Sequence, residues 1–180
     1  AWSPDGKSIA WFSDATGEYA LMVGSPDGLS APKSVPLPQG SFYYAPVWSP
    51  DSKKVLFSDN HLNLWYLEVG QERPVKVDTE TYGPSGPFDV SWSPDSKWIA
   101  YARQLENKFS AVFLHSVKEG KNYPITDGMS DAISPAFDES GKYVYFLAST
   151  DYALNVGWLD MTSYDRDVTP RLGSGQQDVL

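Results

Sequence analysis

Cysteine is absent from the 180-residue chain, which removes disulfides, thiol nucleophiles and cysteine-bearing zinc centres from consideration. Histidine is nearly absent: only His61 and His115 occur, too few for a three-histidine zinc site, and no H-E-x-x-H pair exists. Positive charge is scarce as well, with 14 Lys and Arg against 23 Asp and Glu and a formal net charge of −9. Lys and Arg contacts to phosphate supply most nucleic-acid affinity, so no nucleic-acid partner is expected of an acidic chain without a basic cluster. No apolar run approaches the roughly 18 residues of a membrane span, and no membrane partner is expected either. The chain opens on Ala-Trp-Ser-Pro, inside a motif that recurs later, with no leader-like segment, and so reads as a piece of something longer.

What the chain does have is repetition. WSPDSK occurs at 48–53 and again at 92–97, with WSPDGK at 2–7 and a worn copy, FDESGK, at 137–142. The leading aromatics, Trp2, Trp48, Trp92 and Phe137, are spaced by 46, 44 and 45 residues. A period near 45 residues is a blade length of β-propellers, in which each blade is four short antiparallel strands. Residues 45–80 fit that plan: 45–48 is a short apolar strand, 54–58 a second, 62–69 a third and 74–77 a fourth, with turns between. The second strand recurs as SIAWFS (8–13), WIAYA (98–102) and YVYFLA (143–148), all rich in β-branched and aromatic residues.

The hexapeptide itself suits a type I turn joining strands one and two, with Ser first, Pro presetting φ and Gly fourth. Trp2, Pro4, Asp5, Trp48, Pro50, Asp51, Trp92, Pro94, Asp95, Phe137 and Gly141 are therefore expected to be architectural, each aromatic wedging between neighbouring sheets. Ser25-Pro26-Asp27-Gly28 carries the same letters without the Trp and falls mid-period, as a hairpin between strands three and four. The expected fold is all-β, a β-propeller of four-stranded antiparallel blades. Its blades run over about 1–38, 43–80, 87–127 and 132–172, followed by a flexible tail at 173–180. The first blade lacks most of its innermost strand. Four blades can close on themselves; if they form an open arc instead, its exposed end faces lead to the expectation that either another chain closes the ring or two copies of this one associate to close it.

The WSPDGK-type turn followed by IAW or IAY resembles the WD40-like propellers of TolB-like proteins and tricorn proteases. The runs 88–104 and 125–161, above all GKYVYFLASTDY at 141–152, resemble the later propeller of tricorn-type serine proteases. That resemblance implies a non-catalytic propeller that frames a channel for peptides or mediates assembly, while separate domains carry the catalytic residues. It implies a peptide or protein partner, no cofactor and a cytoplasmic location, with an exported location left open. The alternative is a TolB-like protein–protein interaction module. A third class, an autonomous lyase or glycosidase on a propeller scaffold, finds no obvious carboxylate pair or metal motif.

A serine nucleophile needs a base, and His61 (a turn) and His115 (a strand) are the only histidine candidates. No G-x-S-x-G elbow is present. Asp14 to Glu18 gathers oxygen ligands but lacks calcium-loop spacing and reads as a hairpin turn. Asp138-Glu139 and Asp165 with Asp167 read as solvated loops. No catalytic residue and no metal site is expected. Binding, where a propeller does it, uses loops opposite the Ser-Pro-Asp turns. Phe42, Tyr43, Tyr44, Tyr82, Arg103 and Tyr152 are the candidate contacts, set against the plainer expectation that Phe42 and Tyr44 pack between blades.

Overall fold

The computed structural model describes residues 1–82, 88–149 and 171–176. Every regular element there is a strand: β1 (Ile9–Ser13), β2 (Ala20–Gly24), β3 (Lys33–Pro36), β4 (Tyr43–Trp48), β5 (Lys54–Asp59), β6 (Asn63–Glu68) and β7 (Val75–Thr79) in the first half. The second half holds β8 (Val90–Trp92), β9 (Trp98–Gln104), β10 (Ser110–Ser116), β11 (Lys121–Pro124), β12 (Asp131–Phe137), β13 (Tyr143–Ser149) and β14 (Arg171–Gln176). They form four antiparallel sheets in sequence order, β1-β2-β3, β4-β5-β6-β7, β8-β9-β10-β11 and β12-β13-β14. Two compact units result, Ala1–Phe88 with the first two sheets and Asp89–Leu180 with the others.

The first three sheets are meanders in which turns join strands that can bury one face or both. The first sheet keeps a vestige of an innermost strand: Trp2 bridges Ile9, and Ala1 and Ala10 exchange hydrogen bonds of 2.7 and 2.8 Å. In the first unit the core lies between the two sheets. Ala10, Leu21, Val35 and Leu37 of the first pack on Trp48, Val55, Phe57 and Leu67 of the second. Burying a side chain such as Leu21 or Leu67 contributes about 1.5–3 kcal/mol. In the second unit Ala100, Leu114 and Val144 are joined by Trp98 and Phe137.

Two prolines sit inside strands. Pro46 in β4 and Pro135 in β12 each precede the repeat aromatic by two residues, and the pairing register shifts there, between Tyr44 and Val47 and between Ile133 and Ala136. Pro cannot donate to the ladder, so the strand bulges around it. The expectation of a flexible tail from residue 173 is corrected: Gly173 to Gln176 belong to β14 and pair with β13. Gly173 lies opposite Phe146, and a Cβ at that position would stand 2.6 Å from the Phe146 ring. The missing side chain lets an aromatic ring cover the strand, a contact that composition does not reveal.

Candidate functional site

The repeated turn is the most regular piece of polar chemistry in the chain. Ser3, Ser49 and Ser93 donate their hydroxyls to Asp5, Asp51 and Asp95 at 2.7, 2.6 and 2.7 Å. The same carboxylates accept the backbone N–H of Lys7, Lys53 and Lys97 at 3.0–3.1 Å. The serine oxygens in turn accept the N–H of Ser8, Lys54 and Trp98, each at 2.9 Å. The fourth turn position is left-handed, with φ of 71° at Gly6, 59° at Ser52, 60° at Ser96 and 71° at Gly141. Glycine takes that conformation without steric cost, and two serines take it under strain.

The worn fourth copy keeps this device with its partners exchanged. Asp138 occupies the serine position and Ser140 the aspartate position, and Ser140 donates its hydroxyl to Asp138 at 2.5 Å. Asp138 also accepts the Tyr143 N–H at 2.9 Å, the bond a serine oxygen accepts in the other copies. These bonds hold all four carboxyls below the ordinary carboxylate value. For Asp5 the Ser3 hydroxyl leads, and for Asp138 the Ser140 hydroxyl. At Asp51 and Asp95 burial pushes upward, and the serine hydroxyl and following backbone amide outweigh it.

Among the repeat aromatics, Trp48 and Trp92 are buried, and Trp48 donates Nε1 to the Ala1 carbonyl at 3.1 Å. Phe137 packs against the third sheet's core residues. Trp2 is 62% exposed and does not act as a wedge among the described residues. The comparable ring of Trp48 packs on the sheet that precedes it in sequence, and no described sheet precedes Trp2.

Of the candidate contact residues, Phe42 is 62% exposed, its ring centroid 5.6 Å from that of Tyr19. Tyr43 is half-buried, 5.5 Å from Phe12 and 5.8 Å from Phe57, and donates its hydroxyl to the Pro38 carbonyl at 2.7 Å. Burial pushes the Tyr43 phenol up to about 12, with the nearby Asp59 and Glu18 charges adding to it. Phe42 is thus offered outward, while its neighbour belongs to the seam between the first two sheets. Tyr44 is half-buried and Tyr82 exposed. Arg103, on β9 in the other unit, lies over the Phe113 ring at 4.6 Å. Tyr152 and the Asp165–Asp167 pair lie outside the described residues.

The structure also brings His61 against a serine that the sequence does not single out: Ser41 Oγ and His61 Nδ1 are 2.7 Å apart. The buried Asp59 beside them accepts the backbone N–H of His61, the backbone and side-chain amides of Asn63 and the indole N–H of Trp65, at 2.9–3.1 Å. In a nucleophile–base–acid relay the carboxylate holds the imidazole ring. Here it holds the histidine's backbone, and its capacity is spent on shaping the β5–β6 turn. His115 is buried on β10 with Nδ1 2.6 Å from Asn122 Oδ1. The backbone carbonyl of Asp14 closes the β1–β2 turn by accepting the Gly17 N–H at 2.8 Å, where Gly17 has φ of 92°. The Ser41–His61 contact spans 20 residues, and only the pairing of β4 with β5 brings it about.

Sequential antiparallel meanders, one aromatic-led turn per sheet and cores shared between neighbouring sheets define a β-propeller with WD40-like blades. The family described as tricorn protease second beta propeller domain matches residues 1–155. The chain belongs to that family. A tricorn protease homolog of Saccharolobus solfataricus is 38% identical over 101 residues, covering 56% of this chain and 9% of that protein. A crystal structure of the tricorn protease superposes with a TM-score of 0.69 at 15% identity, over 79% of this chain and 14% of that one. A putative TolB from Agrobacterium tumefaciens superposes with a TM-score of 0.58 at 19% identity, over 98% of this chain and 60% of that one. The chain spans 9% to 21% of the length of the curated relatives it matches.

Proposed function

We propose that this chain is a non-catalytic propeller domain of a tricorn-like protease and frames a channel through which peptides pass. The observation that carries this function is the family match over residues 1–155. The site geometry supports it from the other side: Asp59 grips the His61 backbone, so the Ser41–His61 contact lacks the carboxylate-oriented ring of a serine hydrolase. Exposed Phe42 and Tyr82 supply aromatic surface suited to peptide backbones and apolar side chains. A cytoplasmic location goes with this function. The likeness to TolB rests on fold alone and supports propeller architecture without selecting an interaction role.

The test is made in a protease that carries this domain. Removing residues 1–155 is expected to leave cleavage of very short fluorogenic peptides in place while changing how the rate depends on peptide length. Equal loss of activity on short and long peptides would overturn a channel role, and so would an unchanged length dependence.

A further inference from the structure

The chain is acidic overall, yet one groove on the first unit is edged by cations. It lies between β3 of the first sheet and the β6–β7 corner of the second, with a volume of about 680 Å³, within the usual range of about 300–1,000 Å³ for ligand sites. Val35, Leu37, Pro38, Trp65, Arg73 and Pro74 are among its lining residues. Val35 and Leu37 are buried and give it an apolar floor, and half-buried Trp65 gives it a wall. Trp65 is a fixed wall because its indole N–H is held by Asp59 at 2.9 Å.

The cations are placed independently of one another. Lys33 donates one N–H to the Gly70 carbonyl at 2.8 Å, which ties β3 to the β6–β7 corner and leaves two further donors on the ammonium. Lys76 Nζ stands 6.0 Å from the Trp65 ring centroid. Arg73 is exposed on the groove's rim. The acid in the lining is Glu72. Pro32, Pro36 and Pro38 along the β3 edge lack backbone donors, so a guest is directed to side chains and away from simple strand addition.

We infer that this groove docks an extended acidic peptide segment of a partner protein. Carboxylates of the segment pair with Arg73 and Lys33, where a guanidinium offers a bidentate fork, and its aliphatic or prolyl parts lie on Trp65 and Pro38. Opposite charge selects the partner and an aromatic anchor holds it. The docking stands on this surface alone and does not depend on a channel function.

Fluorescence polarisation of the full chain with a short labelled peptide of Glu, Pro and Leu, beside its Lys-for-Glu counterpart, tests this. The acidic peptide is expected to bind more tightly, with affinity falling as salt rises through about 0.15 M. Arg73→Glu and Lys33→Glu are each expected to weaken binding about tenfold, an effect typical of a reversed charge at a contact. Lys121→Glu, an exposed control in the other unit, leaves it unchanged. Amide shift changes on titrating the wild type should fall on residues 33–38 and 72–76, which guards against a variant that fails to fold. Equal binding of the basic peptide, indifference to both substitutions or shift changes elsewhere would overturn the inference. So would displacement of the peptide by a second copy of the chain at higher concentration.

Discussion

The exchanged partners of the fourth turn lead to a sharp prediction for the second. Ser49 is fully buried and its hydroxyl donates to Asp51 at 2.6 Å while its oxygen accepts the Lys54 N–H. Asp51→Ser removes the charged acceptor of that bond and of the Lys53 N–H, at a cost of about 1.5–3 kcal/mol for hydrogen bonds to a charged group. Ser49→Asp places a second carboxylate beside Asp51 with no hydroxyl between them, and costs at least about 2 kcal/mol through like-charge contact and desolvation. Combined, the two substitutions recreate the Asp138–Ser140 arrangement, which keeps the hydroxyl-to-carboxylate bond and supplies an acceptor for the residue that opens the next strand. The double variant is therefore expected to be more stable than the sum of the single costs by about 1–3 kcal/mol, well outside the usual additivity error of about 0.5 kcal/mol. Urea unfolding at neutral pH, comparing midpoints at constant slope, measures this. Costs that simply add would refute the idea that the two turns use one interchangeable device.

Three further predictions follow from the same structure. Asp5, Asp51, Asp95 and Asp138 have folded pKa values below the ordinary 3.8, so the stability they add is complete above that value and is lost as pH falls through the folded values. The urea midpoint should stay level from neutral pH down to about 5 and fall below about 4; a midpoint that rises on acidification below 4 contradicts this. Gly173→Ala pushes a Cβ to 2.6 Å from Phe146 and should cost about 1–3 kcal/mol, read as faster amide exchange in β13; unchanged exchange would show that β14 does not depend on that ring. Tyr43→Ala should cost about 2–3 kcal/mol because its ring is part of the inter-sheet cluster, while Phe42→Ala should stay within about 0.5 kcal/mol; comparable losses in a thermal melt would place Phe42 in the seam.

Much of the fold was legible because its signals are local. A turn such as Ser-Pro-Asp-Gly fixes its own geometry, and strands such as 54–58 and 98–102 carry β-branched and aromatic residues over their whole length. The contacts that escaped are those that depend on pairing. Ser41 meets His61 only after β4 and β5 come together, and Gly173 finds Phe146 across a strand that glycine and serine alone would not announce. Pro46 lies in the 45–48 run read as a strand, but neither it nor Pro135 announces the bulge by which β4 and β12 absorb it. The Asp138–Ser140 exchange was readable in principle, since Asp and Ser swap places between WSPDSK and FDESGK, but its meaning needs the hydrogen bonds. For the candidate contacts, exposure overturns the plainer expectation at one position: Phe42, expected to pack between blades, faces outward, while its neighbour Tyr43 belongs to the seam.

The most direct test of a peptide-handling, non-catalytic propeller is to incubate the purified chain with a defined peptide mixture and follow both bound and free peptides by mass spectrometry over time. Peptides that bind and are all recovered intact are the predicted result. Fragments that accumulate in proportion to the amount of chain, and disappear with Ser41→Ala, would contradict it and make the Ser41–His61 contact an active centre.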